Sequence, residues 1–360
     1  MLQKLTILLC LISLFVCNIV GAEAAQYKIN KLTGIDPAAD SWAYGINNNG
    51  QIVGVSCKSL GSGYEESYAA RWIDSIAQII NLPGGSSTSA YDISENGVVT
   101  GIYYSVGGSH AYMLNGNTLT DIGASTRGLG ISCNGLCISG YRSGNAGYLQ
   151  PFAYINNTVV NIGNLGGNGD SFAFDINDSG KVVGSSYQQD GYQQAFLWQN
   201  NTIVNLDTSG GHESRAMGIS NDDKVVGYAY TSDNQCRAFV WQNGKMNQLC
   251  DLVSKAWAIS PNGRYIVGEV TTPSHSRHQA ALWVDGQLTI LGSLPEASSD
   301  YSIANSVNDY GVAVGYAVGA DYNSYAVTWM PVPEPSSIIV LICGIALAML
   351  IPNALVKLLA

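Results

Sequence analysis

The chain has 360 residues, of which only 12% are charged, about half the share usual in soluble domains. That low share excludes a coiled coil and a charged disordered chain, and a formal net charge of −10 excludes a surface built to attract nucleic-acid phosphates. Gly (41) and Tyr (21) are abundant while lysine and glutamate are few, which indicates short strands joined by many tight turns. The N-terminus reads Met1-Leu2-Gln3-Lys4, then an apolar run from Leu5 to Val20, then Ala22-Glu23-Ala24. A basic start, an apolar middle and a small-x-small end describe a secretory signal peptide over residues 1–24, cut after Ala24.

From residue 25 to 331 the sequence repeats itself. One unit runs Ala173-Phe174-Asp175-Ile176 to Gly184, then through a loop to Ala195-Phe196-Leu197-Trp198 and on to Ile203-Val204-Asn205-Leu206. The phrase returns at Ala43, Ala90, Gly128, Ala216, Ala256 and Ala304, closing on Gly54, Gly101, Gly140, Gly227, Gly268 and Gly315. The interval averages roughly 40–45 residues, the length of a four-stranded propeller blade. Each unit divides into a small, apolar first strand, a branched second, a third ending in an aromatic such as Trp72, Trp283 or Trp329, and a fourth like Ile79-Ile80-Asn81-Leu82. The seventh unit stops at Trp329-Met330 without a fourth strand, and Tyr27-Lys28-Ile29-Asn30-Lys31-Leu32 has the missing pattern. The predicted fold is therefore all-β, a seven-bladed β-propeller of four-stranded blades whose N-terminal strand closes the last blade.

These units resemble the HAF repeat of bacterial extracellular proteins, named for a phrase present here as Gln194-Ala195-Phe196-Leu197-Trp198 and His110-Ala111-Tyr112. That resemblance implies a secreted repeat protein and supplies no catalytic residue. Residues 332–360 hold Val332-Pro333-Glu334-Pro335-Ser336-Ser337 and then Ile338 to Val356, a stretch long enough to cross a bilayer. This tail resembles the PEP-CTERM sorting signal of Gram-negative bacteria. The resemblance implies that Pro333, Glu334 and Pro335 are read by an exosortase-like transpeptidase partner while the tail holds the protein in the membrane. The tail departs from the pattern in ending on Lys357 alone, where an arginine cluster is usual.

Export suits the cysteines. Cys236 and Cys250 lie about the Asn243-Gly244 turn, Cys133 and Cys137 flank Asn134-Gly135-Leu136, and both pairs are disulfide candidates; Cys57 is left over. Few groups suggest chemistry. Ser274-His275-Ser276-Arg277-His278 reads as a solvated loop, and Asn177-Asp178-Ser179 and Asn221-Asp222-Asp223 read as turn residues. No catalytic residue, metal site or cofactor is assigned.

The loops joining second to third strands, with the crossings between blades, share one face and carry Tyr64, Tyr103, Tyr104, Tyr187, Tyr192 and Tyr230, a candidate ligand face for sugars or a protein. The expected function is a non-catalytic binding or structural role at the cell surface or in the extracellular matrix. The partner would be a polysaccharide or an envelope protein. An extracellular carbohydrate-active enzyme, a glycoside hydrolase or polysaccharide lyase, is the alternative, with Asp92 and Asp175 the carboxylates on the innermost strands.

Overall fold

The computed structural model describes residues 26–61, 63–105, 107–144, 147–275, 277–297 and 299–332. The signal peptide and the Pro333-Glu334-Pro335 tail, with its apolar stretch, lie outside these residues. Among the described residues no helix is long and apolar enough to cross a membrane. Residues 29–330 form one compact unit; of the other unit, which comprises residues 1–28 and 331–360, Val332 N–H donates to the Gln26 carbonyl at 2.7 Å.

Seven antiparallel four-stranded sheets follow one another as blades spanning 41–79, 89–124, 126–161, 172–207, 210–248, 253–290 and 302–331. In the seventh, the outermost strand is Tyr27–Lys31, paired with Ser324–Pro331, so the ring closes as the repeat pattern predicts. The closing strand is fixed by the Leu32 N–H to Ala326 carbonyl bond at 2.8 Å, and the Lys31 ammonium lies 3.1 Å from the centre of the Tyr325 ring.

The repeated residues have separate physical jobs. Each innermost strand carries a bulge at the same place, between Ala43 and Gly45, Ala90 and Asp92, Gly128 and Gly130, and so on round the ring. The bulge pushes a carbonyl against the partner strand, where the closing glycine sits: a Cβ on Gly184 would collide with the Phe172 carbonyl oxygen, and Gly54 and Gly315 face the same obstacle. In blades two to five a third-strand aromatic stands opposite that glycine, and Phe196 lies over Gly184 as Phe152 does over Gly140.

Two rings of hydrogen bonds stitch the blades together. On the loop face, a hydroxyl at the start of one blade accepts the N–H of the third-strand alanine of the blade before: Thr88 from Ala69, Thr126 from Ala111, Ser214 from Ala195, Ser254 from Ala238, Ser302 from Ala280 and Ser41 from Ala326. The missing case explains itself, because blade three has Pro151 there and proline has no N–H; Ser171 bonds to Ser186 Oγ at 3.0 Å instead. On the opposite face the turns bond in a full circle, from Asn48 to Glu95, Cys133, then Asn134 to Asp178, Asn221, Pro261, and Asn262 to Asp309 and back to Asn48. Asp178 is thus a turn-to-turn link, while Asp222 and Asp223 pair with Lys224 (3.0 Å) and Lys181 (2.6 Å).

Candidate functional site

The bulges build the channel wall. The extra residue at each one (Tyr44, Tyr91, Leu129, Phe174, Met217, Trp257 and Asn305) borders a central cavity of about 180 Å³. Asp92 and Asp175 line the same cavity and are half-buried in its wall. Asp92 accepts the N–H of Ile93 at 2.8 Å and of Ile131, in the next blade, at 2.9 Å. Asp175 repeats the arrangement with Ile176 at 2.7 Å and Ile219 at 2.8 Å. Burial pushes Asp175 up to about 6; burial and the repulsion of Asp175 push Asp92 up to about 8. Each carboxyl is a staple between neighbouring blades, with both oxygens engaged.

Aromatic rings continue from the channel wall to the loop face. Tyr44 meets Tyr91 at 5.6 Å, Tyr141 meets Phe172 edge-on at 5.1 Å, Tyr228 meets Trp257 at 5.9 Å, and Tyr301 meets Tyr316 at 6.1 Å. Charged residues of the innermost strands stand among them: the Arg127 guanidinium is 5.8 Å from the centre of the Tyr141 ring, and the Lys255 ammonium is 5.4 Å from those of both Tyr228 and Trp257.

The six tyrosines expected to form the ligand face separate into three groups. Tyr64 is exposed at a loop tip, and Tyr192 is stacked on His212 at 4.5 Å. Tyr103 is a correction: it is buried, stacked on His110 at 5.1 Å, because successive strand residues point to opposite faces and Tyr104 takes the outer one. Tyr104, Tyr187 and Tyr230 share one repeat position, three residues after the closing glycine. Tyr104 and Tyr187 each stand in a groove. The groove at Tyr104, about 470 Å³, runs across the top of blade two from Ser67 of blade one, past Ser87, Ser89, Tyr91 and Tyr104, to Arg127 of blade three. The groove at Tyr187, about 520 Å³, likewise runs across blade four from Tyr148 of blade three, past Asp170, Phe172, Tyr187 and Gln193, to Arg215 of blade five. Both arginines directly precede the repeat's first small residue, Gly128 or Ala216, so the repeat alignment already carried the signal that would have found them.

The histidine loop is another place where sequence reasoning missed partners. His275 Nε2 is 2.9 Å from Asp300, and His278 Nδ1 is 3.7 Å from Glu269, a carboxylate buried in the second strand of blade six. Lys255 approaches the same carboxylate at 3.4 Å, and Tyr301 packs edge-on against His278. These side chains lock the junction of blades six and seven. In blade two, Ser105 Oγ lies 3.1 Å from His110 Nε2, and His110 Nδ1 lies 3.0 Å from Asp121, the order of a hydrolytic triad. Asp121 also accepts the Gly123 N–H at 2.8 Å and the Tyr103 hydroxyl, and His110 is buried under Tyr103, so the relay braces this blade's outer strands.

The disulfide candidates are also corrected. Cys57, Cys133, Cys137, Cys236 and Cys250 are all free thiols. Register parity is the reason. The Asn243-Gly244 turn pairs Gln242 with Lys245, which sets Cys236 one step out of line with Cys250; each contacts Ser254 instead, at 3.6 and 3.5 Å. Likewise Ser132 N–H donates to the Cys137 carbonyl, placing Cys133 in the turn beside the channel. Burial pushes the Cys57 thiol up to about 12.

The fold and this face define a closed, seven-bladed propeller. No family model and no curated protein matches the chain. Among solved structures it is similar to the β-propeller domain of the Trilobed protease from Pyrococcus furiosus, with 8% identity and a TM-score of 0.57 over 81% of this chain and 95% of that one. That domain is described as having an open velcro topology, whereas here Tyr27–Lys31 completes the last blade. The chain is also similar to the Pyrococcus horikoshii acylaminoacyl peptidase, with 10% identity and a TM-score of 0.51 over 83% of this chain, and it spans about half (53%) of that enzyme. At such identities the shared property is the fold.

Proposed function

We propose that this chain is a secreted, non-catalytic propeller of the cell surface or extracellular matrix that binds polysaccharide through its loop face. The observation that carries this reading is the run of aromatic rings from the channel wall to the blade junctions, interleaved with Arg127 and Arg215. A pyranose offers apolar C–H faces and a rim of hydroxyls, and an aromatic ring beside a donor fork matches both. A glycoside hydrolase or lyase is the weaker reading. Its carboxylates must give and take a proton at the substrate, whereas Asp92 and Asp175 are each held by two backbone N–H groups.

The HAF-like repeats and the terminal signal supply the address. The chain is exported, held by its apolar tail, and then released or joined to an envelope acceptor by an exosortase-like transpeptidase acting at Pro333-Glu334-Pro335. Affinity electrophoresis of the purified protein through gels containing different polysaccharides tests the binding role. Retardation with no new reducing or unsaturated ends supports it; appearance of such ends replaces it with the enzyme.

A further inference from the structure

The two junction grooves occupy the same place in the repeat, and they are not forced by the fold. Seven junctions share one backbone plan, yet the side chains at the two defining positions differ. Between blades two and three these are Tyr104 and Arg127; between four and five, Tyr187 and Arg215. Between five and six the corresponding pair is Tyr230 and Lys255, but Lys255 is drawn onto buried Glu269 at 3.4 Å and is not free to serve a ligand. Cys57 holds the tyrosine position at the first junction and Val318 at the last.

The arginines have little structural employment. Arg127 donates to the Tyr104 hydroxyl at 3.0 Å on the exposed side of its groove. Among the described residues the Arg215 side chain makes no hydrogen bond and no ion pair, and its charge acts on the Tyr228 hydroxyl on the neighbouring strand. A guanidinium carries five donors in a planar fork, and on a groove wall those not used within the protein face an incoming acceptor. The remaining walls have complementary chemistry: serine hydroxyls in one groove, and in the other Asp170, the 3% exposed Gln193 and the rings of Phe172 and Tyr187. Both volumes fall within the range of about 300–1,000 Å³ typical of small-molecule sites.

We propose that these grooves are paired subsites for hexopyranose units of one neutral polysaccharide, with the tyrosine ring taking a sugar face and Arg127 or Arg215 donating to adjacent hydroxyls. This assignment rests on the polysaccharide-binding reading above and names its ligand class and location. Neutrality follows from charge: Asp170 borders one groove, and the chain carries −10 overall, so a polyanion would be repelled. Two sites on one face also let a single polymer engage both, so the second contact is intramolecular and multiplies affinity about 10²–10⁴-fold.

The test uses the purified protein with dextran, a β-glucan and a galactomannan as neutral probes and alginate as the polyanion. Titration with the constituent monosaccharide counts sites. Arg127→Ala and Arg215→Ala should each lower polymer affinity by at least about tenfold and reduce the monosaccharide stoichiometry from two to one, with the double variant binding neither. Tyr104→Ala and Tyr187→Ala should do the same, and Arg264→Ala, outside both grooves, should bind as the parent does. Unchanged melting temperatures separate ligand loss from misfolding. A double variant that still binds polymer like the parent overturns the grooves while leaving polysaccharide binding standing. Binding to alginate alone overturns the neutral class, and no retention on any polymer overturns both proposals.

Discussion

Asp92 stands in the channel wall, where desolvation and the charge of Asp175 push it up to about 8. In the unfolded chain the same group titrates near its ordinary value of about 3.9. Between these two values the folded protein holds a proton that the unfolded chain has released, so stability must fall as pH rises. Asp175, pushed up to about 6, acts in the same direction over the lower part of that window. From pH 6 to 8 the slope therefore belongs to Asp92, at up to about 1.4 kcal/mol per pH unit, a loss of roughly 2–3 kcal/mol that levels off above pH 8. Asp36, Asp121, Asp222, Asp233 and Asp321 are shifted the other way; their stabilisation is lost only as pH falls below the ordinary carboxylate range, outside this window. Urea unfolding followed by tryptophan fluorescence at pH 6, 7, 8 and 9 measures the slope. Asp92→Asn should flatten it, while costing about 1–3 kcal/mol at pH 6, because one of the Ile93 and Ile131 N–H groups loses its acceptor, and less at pH 8, where the parent has itself lost stability. A parent protein equally stable at pH 6 and 8, or an Asp92→Asn variant with the parent's slope, refutes the reasoning.

Deleting residues 27–32 should expose the edge of blade seven and give aggregation or rapid proteolysis; a monomeric deletion variant with the parent's melting temperature would show that the ring closes without that strand. All five thiols of residues 25–331 should react with a thiol reagent after unfolding without reductant, and dithiothreitol should leave the melting temperature unchanged; a protected Cys236–Cys250 peptide would reverse the register argument. A fluorophosphonate probe should leave Ser105 unlabelled, and labelling that disappears in Ser105→Ala would revive hydrolysis. In a host with the sorting enzyme, mass spectrometry should find a C-terminus near residue 335 that Glu334→Ala abolishes; an intact Ala360 in hosts with and without the enzyme would mean a plain anchor.

The ring was legible because its costs recur at fixed places. A bulge in every innermost strand demands a glycine opposite, so Gly54 through Gly315 count the blades, and an orphan strand pattern at Tyr27 identifies the closure. The channel lining was not legible from periodicity, since the bulge adds one residue and shifts the alternation that would have assigned Tyr44 or Trp257 to a face. The cysteine pairs failed for a related reason, the parity of a hairpin. Glu269 escaped notice because its partners His278 and Lys255 come from other strands and loops, whose meeting only the folded blade provides.

In a repeat protein, a departure from the common pattern has two sources, and they can be separated by looking for compensation. Gly128 replaces the usual alanine, and Thr100 in the preceding blade explains it, since a Cβ there would meet the Thr100 hydroxyl oxygen at 2.6 Å. Pro151 removes an N–H, and Ser171 turns to Ser186. Both changes are answered by a neighbour and concern the fold. Lys255 is answered in the same way by Glu269. Arg215 is not answered by a side-chain hydrogen bond or an ion pair among the described residues, and Arg127, two blades away, meets only the side chains of Tyr104 and Tyr141 and no carboxylate. The Arg215 donors open onto the groove, where an incoming acceptor can meet them. That contrast, between answered and unanswered departures, is the reason the proposed binding role is assigned to the blade junctions, while the channel wall holds the carboxyl staples.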